Sequence, residues 1–353
     1  MKPGIFALVF ASIFTLAACD QPGASLAPTQ ETLDGNQDQN HSTPNDEAGG
    51  GGGNAAEPQC TENGGRSSGG QAGIVGGEAV DGTSWIAKGT VFIMQEYSAN
   101  NEDHTSICTG SLIDRNLVIT AAHCVDKSRN NLSHLSVYFT HKPECEHNLG
   151  TLPQKRKAIA ELRIHPYWDP SNTSTSNRGD LALLRISGKA PNAYVPLKLS
   201  NAFIPLVDGT KVMVAGYGMT NPDYYGDFGG SIALRFAEAS PMSASERAYL
   251  SPMVDDPNEF NNLAGNEMLY IDQSKGKGIC GGDSGGPSFQ KNGPNATDYV
   301  VTGVASFVMN PRNSNRLCAY VAAHTNVLYH KNWIETNFQQ MRNTDSSYET
   351  PFR

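Results

Sequence analysis

The chain predicts an all-β fold, a sandwich or a barrel, behind an N-terminal stretch not expected to order. Three observations point there. From Ile74 onward the apolar residues come in short runs, such as those at 91–94, 212–215 and 300–301, in a stretch broken up by Gly, Pro, Asn and Ser. Gly (36) and Pro (20) are abundant among 353 residues, which leaves little room for long helices. Helical apolar spacing stands out once, near the C-terminus. Periodicity alone does not separate sandwich from barrel.

In chain order, Lys2 precedes an apolar run from Ile5 to Ala18 that is too short to span a bilayer comfortably. Residues 1–18 read as an export signal and stand outside the fold. The signal ends Leu16-Ala17-Ala18-Cys19 and resembles the bacterial lipobox, in which the Cys is lipidated and becomes the mature N-terminus. An ordinary secretory signal is the alternative, but it lacks an A-x-A site here. Asp20 after that Cys resembles an inner-membrane retention signal. Residues 19–73 read as an acidic, Gly-rich tether with five consecutive glycines from Gly49 to Gly53. Such a composition cannot bury enough apolar surface to order itself, and as a coil it reaches roughly 40 Å. The expected setting is the bacterial periplasm or cell surface. The membrane is met only through lipidated Cys19, and cleavage in the tether is a route to release.

The net charge is −9, from 26 Lys and Arg against 35 Asp and Glu. That argues against nucleic acid as a partner. Residues 20–73 alone hold eight acidic residues and one arginine. The rest is near neutral, so charge gives no clue to a substrate.

Chemistry concentrates in four segments. Gly281-Gly282-Asp283-Ser284-Gly285-Gly286-Pro287 sets a Ser among glycines, where backbone can approach a substrate closely. Thr120-Ala121-Ala122-His123-Cys124 follows the apolar strand at 117–119. Gly179-Asp180-Leu181-Ala182-Leu183-Leu184 puts an Asp at the start of another apolar strand, and Gly73-Ile74-Val75-Gly76-Gly77 lies in front. A Ser hydroxyl is a weak nucleophile that needs a base, and the base needs an orienting partner. Singly, His123 reads equally as a core histidine, Asp180 as a strand-start residue and Ser284 as a turn serine. Arg178-Gly179-Asp180 also spells an adhesion tripeptide, a reading set aside because this Asp is expected to be buried.

With these motifs in the order His, Asp, Ser, residues 74–340 resemble the chymotrypsin-like serine proteases. The resemblance implies two antiparallel six-stranded Greek-key barrels, about 74–198 and 199–325, with the active site in the cleft between them. A C-terminal helix at about 326–340, with Asn326 as its cap, and a polar tail at 341–353 complete the expectation. It implies His123 as general base, Asp180 as its orienting partner, Ser284 as nucleophile, and the backbone N–H groups of Gly282 and Ser284 as oxyanion hole. It also implies a zymogen, in which cleavage before Ile74 frees an α-amine that pairs with Asp283. Gly73 stands where relatives carry Arg or Lys, so a trypsin-like activator would not cut here. Another protease, self-cleavage, or no cleavage at all remain open.

Seven Cys minus a lipidated Cys19 leave six, which in an exported protein implies disulfides with fifteen possible pairings. The resemblance implies Cys108–Cys124 and Cys280–Cys318. Cys60 and Cys145 remain, and their pairing is a hypothesis: it would keep a cut enzyme attached to its lipid. His141, Cys145 and His147 match no common zinc spacing, so no metal or other cofactor is expected. Asn-x-Ser/Thr sequons, such as those at Asn131, Asn172 and Asn295, mark only exposed polar loops.

The resemblance also sets specificity. Gly278, six residues before Ser284, stands at the base of the pocket for the side chain preceding the cut (P1), where a trypsin has Asp. Ser306-Phe307-Val308 matches the strand that pairs with substrate backbone. Val308 narrows the pocket mouth and Ala322 lines the opposite wall. Small or medium apolar P1 residues are expected, not Arg or Lys. Residues 219–275 are poorly patterned and read as loops rimming the second barrel. The expected protein is a monomeric serine endopeptidase acting on proteins or peptides, with an activating protease as a further partner. A non-catalytic binding module on the same scaffold is the alternative. An esterase is disfavoured, although Gly282-Asp283-Ser284-Gly285-Gly286 fits a nucleophile elbow, because esterases of that type run Ser, Asp, His on an α/β sheet.

Overall fold

The computed structural model describes residues 73–99, 102–126, 132–143, 155–171, 179–204, 210–221, 232–253, 267–293, 295–310, 316–342 and 350–352. Cys19, Cys60, Cys145 and His147 lie outside them.

Two closed antiparallel barrels make the fold. The first is built from β2 (Thr90–Ala99), β3 (Glu102–Asp114), β4 (Leu117–Thr120), β5 (Leu132–Tyr138), β6 (Arg156–Ile164) and β7 (Ala182–Ile186). Its ring order is β2-β3-β4-β7-β6-β5. The second is built from β8 (Val212–Gly216), β9 (Arg235–Pro241), β10 (Met268–Asp272), β11 (Pro287–Lys291), β12 (Tyr299–Met309) and β13 (Val321–Asn326). Its order, β8-β9-β10-β13-β12-β11, closed by β8–β9 pairing, repeats the first ring strand for strand. Closure removes the sheet edges. Runs such as Leu117–Thr120 are buried throughout because those strands are covered on both faces.

Among the described residues three short α-helices accompany the barrels: α1 (Trp85–Gly89), α2 (Ala244–Leu250) and α3 (Lys331–Met341). The last begins later than its apolar pattern predicts. Asn326 ends β13 instead of capping α3, and its Oδ1 accepts from Leu328 N at 3.0 Å. Ile334, Phe338 and Met341 form the buried stripe of α3. No helix among the described residues is long and apolar enough to cross a membrane.

Three departures from the sequence reading bear on the site. The first is at 73–80, which attaches to the second barrel rather than the first. Val75 bridges Gly278, and β1 (Glu78–Ala79) pairs with β9. The second is in 219–275, which supplies β9, α2 and β10 besides loops. The β9 sequence Arg-Phe-Ala-Glu-Ala-Ser-Pro hides its alternation in small residues. Third, the tail comes back: Leu199 N donates to Pro351 O at 2.9 Å and Phe352 is buried.

Candidate active site

Each barrel contributes its own part of the site, and His123, Asp180 and Ser284 sit in the segments that flank strands. His123 follows β4 and Asp180 precedes β7, and those two strands are paired neighbours. Asp180 Oδ2 lies 2.8 Å from His123 Nδ1, and Oδ1 accepts from the His123 backbone N–H at 3.0 Å. The carboxylate therefore fixes both the ring and the main chain behind it. With Nδ1–H donated to the carboxylate, Nε2 is left as an acceptor. Asp180 is buried while His123 is half-buried. Burial alone pushes the Asp180 pKa up, but the His123 charge and the hydrogen bonds from His123 and Ser306 outweigh it and hold the carboxyl below its ordinary value.

Ser306 was expected as part of the substrate-pairing strand. In the structure its Oγ donates to Asp180 Oδ2 at 2.5 Å. A register shift between Ala305 and Phe307 bulges β12 there and turns the hydroxyl toward the carboxylate. Thr325 Oγ1 donates to the Asp180 carbonyl at 3.1 Å. Both contacts cross from the second barrel, and sequence reasoning missed them, because neither residue carries a local signal of its partner.

Ser284 lies in the turn between Cys280 and β11. Gly282 and Gly285 hold φ of +94° and +80°, a region that strongly favours glycine. A Cβ on Gly285 would overlap Thr120 Oγ1 and Thr109 O. Thr109, on β3, ties the turn to the first barrel: its N–H donates to Ser284 O at 2.8 Å and its Oγ1 to Gly282 O at 3.1 Å. Cys124 Sγ lies 3.6 Å from Ser284 O, which brings the turn against the residue next to His123.

The turn also orients two N–H groups. Met219 N holds Gly281 O at 2.8 Å, and Gly286 N holds Asp283 O at 2.8 Å. In a planar trans peptide the N–H points opposite to the C=O. The N–H groups of Gly282 and Ser284 are therefore directed away from those internal donors.

Asp283 is fully buried. Its Oδ1 accepts from Gly218 N at 2.7 Å and its Oδ2 from Cys280 N at 2.8 Å. Burial raises its pKa to about 7, with the two backbone bonds pulling the other way. On the other side of Gly218, its carbonyl accepts from Gly73 N–H. Gly73 has φ +113°, and a Cβ there would overlap the Arg235 side chain. Ile74 is fully buried among Val214, Ala237, Ile271 and Ile279, in a chain whose Gly73–Ile74 bond is intact.

Val308 and Ala322 face each other as a direct β12–β13 pair and pack in one cluster with Ile279. Gly278 exchanges backbone bonds with Val75 at 2.9 and 3.1 Å. Cys108–Cys124 and Cys280–Cys318 are disulfides. The Cys108, His123 and Cys124 ligand atoms lie within 4.8 Å of one another, but both sulfurs are consumed by that bridge and offer no thiolate to a metal.

The family described as Trypsin matches residues 74–334. Chymotrypsin-like elastase family member 1 from dog is 29% identical over 277 residues, covering 73% of this chain and 93% of its own. The cat protein of that name is 30% identical over 278 residues, covering 73% and 90%. Phenoloxidase-activating factor 3 of Holotrichia diomphalia is 26% identical, covering 65% and 63%. Among solved structures, neuropsin, a serine protease of mouse brain, matches at a TM-score of 0.54 with 20% identity, over 75% of this chain and 100% of its own, a likeness of fold.

Proposed function

The chain belongs to the trypsin family of serine proteases, and with it to the serine endopeptidases; we propose that His123, Asp180 and Ser284 are its catalytic groups. Ser284 Oγ attacks the carbonyl carbon of a peptide bond while His123 Nε2 takes its proton. The oxyanion accepts hydrogen bonds from the N–H groups of Gly282 and Ser284. The C–N bond then breaks, the leaving amine takes the proton from His123, and the acyl group stays on Ser284 as an ester. Water, deprotonated by the same imidazole, releases the acid and restores the hydroxyl. The double contact between Asp180 and His123 carries this reading, because it holds the ring with Nε2 free to accept.

The enzyme is made as a zymogen cut between Gly73 and Ile74. The supporting observation is a fully buried Asp283 whose partners are backbone N–H groups, one of them on the residue whose carbonyl holds Gly73. Cutting supplies an α-ammonium to that site, and a buried carboxylate gains from such a partner. The bond is buried in the intact chain, so the activating protease acts when residues 73–75 have left the second barrel. Val308, Ala322 and Ile279 favour small or medium apolar P1 residues, and Gly278 provides no carboxylate for Arg or Lys. Lipidated Cys19 holds the enzyme at a bacterial membrane, a proposal resting on sequence alone.

The test is fluorophosphonate labelling of the tail-processed protein beside Ser284→Ala, with N-terminal sequencing of the labelled band. Labelling that depends on Ser284, on a chain beginning at Ile74, is expected. No labelling of a chain known to be cut defeats the catalytic assignment. Labelling of an intact chain defeats the zymogen reading.

A further inference from the structure

We infer that the floor of the P1 pocket is the carboxamide of Gln273, which fills the volume into which a side chain at position 278 would project. The inference deepens the pocket reading above and rests on it. A Cβ built on Gly278 would overlap Gln273 Oε1, Cδ and Cγ together. These are not the loose end of a flexible side chain. Gln273 is 1% exposed, and each part of its amide is bonded. Its Oε1 accepts from Ile279 N at 2.6 Å, and its Nε2 donates to Ile279 O at 3.1 Å and to Cys318 O at 2.9 Å. Its backbone N–H donates to Tyr320 O at 2.7 Å.

Two consequences follow. Both amide protons are engaged inside the wall, so the floor has none to donate to a polar P1 side chain and no charge for a cationic one. The same amide joins the segments on either side of the Cys280–Cys318 bridge, so floor and walls are held as one piece. Specificity is therefore set from position 273, and Gly278 is glycine because that space is taken. Placing an acid at 278 alone cannot produce a pocket for Arg or Lys.

The experiment is a substitution cycle read by thermal melting and by a P1 peptide library. Gly278→Ala is expected to lower Tm by roughly 5 °C or more through overpacking. In a Gln273→Gly background the same change is expected to cost little. Equal losses in both backgrounds overturn the inference, and this arm needs no catalysis. On the library, Gln273→Gly is expected to move preference from Ala and Val toward Leu, Met and Phe by about tenfold. Gly278→Asp is expected to raise Arg and Lys cleavage at least tenfold in the Gln273→Gly background and not otherwise. A gain of Arg or Lys cleavage by Gly278→Asp alone overturns it. So does an unchanged P1 profile in a Gln273→Gly protein that labels normally. Absence of Ser284-dependent labelling in the unsubstituted cut protein defeats the catalytic reading instead, and the melting cycle still decides the place of Gln273.

Discussion

Cutting the chain before Ile74 should change how its stability depends on pH, and the size of the change can be worked from Asp283. In the intact chain this buried carboxyl has its pKa raised from 3.8 to about 7. Between those values the folded state holds a proton that the unfolded state has released, so stability falls as pH rises through that window. The shift corresponds to roughly 4 kcal/mol as an upper bound. Other groups act in the opposite sense over much of the same range. His165 and His330 are lowered to about 4 and His324 to about 3, chiefly by burial, so each adds stability as pH rises toward 6.5. A single pH profile would mix the two. The difference between cut and intact protein cancels the histidines, because both forms contain them. The assay is urea unfolding of the Ser284→Ala protein at several pH values from about 4 to about 9.5, a range that brackets the Asp283 window and the α-amine. One sample is intact; the other is cut at a tool-protease site placed immediately before Ile74. The stability of the cut form minus that of the intact form should grow by a few kcal/mol across the window. It should then shrink above pH 8, as the α-amine loses its proton. Parallel curves for the two forms would refute the pairing of Ile74 with Asp283.

Three further outcomes are expected. Ser306→Ala removes a donor from the Asp180 carboxylate, a bond worth about 1.5–3 kcal/mol when charged, and should lower kcat/KM roughly tenfold on a good peptide substrate. His324 is fully buried and neither ring nitrogen has a hydrogen-bond partner among the described residues, so His324→Phe should be neutral or stabilising by roughly 1–2 kcal/mol at pH 7. The gain should widen toward pH 4, which melting at both pH values will show. Phe352→Ala removes a ring packed beside Leu199, and should cost about 3 kcal/mol in urea unfolding.

What could be read from sequence followed from how local each signal was. His123, Asp180 and Ser284 each sit in a short, unusual string next to an apolar strand, and such strings survive without knowledge of the fold. The two described disulfides and the twin barrels came with the resemblance those strings support. The contacts of Ser306, Thr325 and Gln273 are different in kind. Ser306 meets Asp180 across 126 positions and Thr325 meets it across 145, and nothing near either residue in sequence announces that meeting. Gln273 looks like an ordinary polar residue after a strand until Gly278 is placed against it. Alpha helix α2 was missed although its capping box, Ser243 with Glu246, is a local signal. The run that follows, Ala-Ser-Glu-Arg-Ala-Tyr-Leu, carries too little apolar pattern to be noticed. Pro351 and Phe352 were absorbed into a polar tail because two residues are too few to show periodicity.

The return of that tail has a consequence in time. A chain is made from its N-terminus, so the first barrel, with His123 and Asp180, is available before Ser284 follows. Leu199 joins Val301 on one side and Phe352 on the other, and Lys331 lies over the Phe352 ring at 5.3 Å. The domain thus closes with residues that emerge after the Ser284 turn and after α3. While synthesis is under way, the Ser284 turn lacks the finished scaffold around it. A polypeptide interrupted before Phe352 has His123, Asp180 and Ser284 but not this clasp.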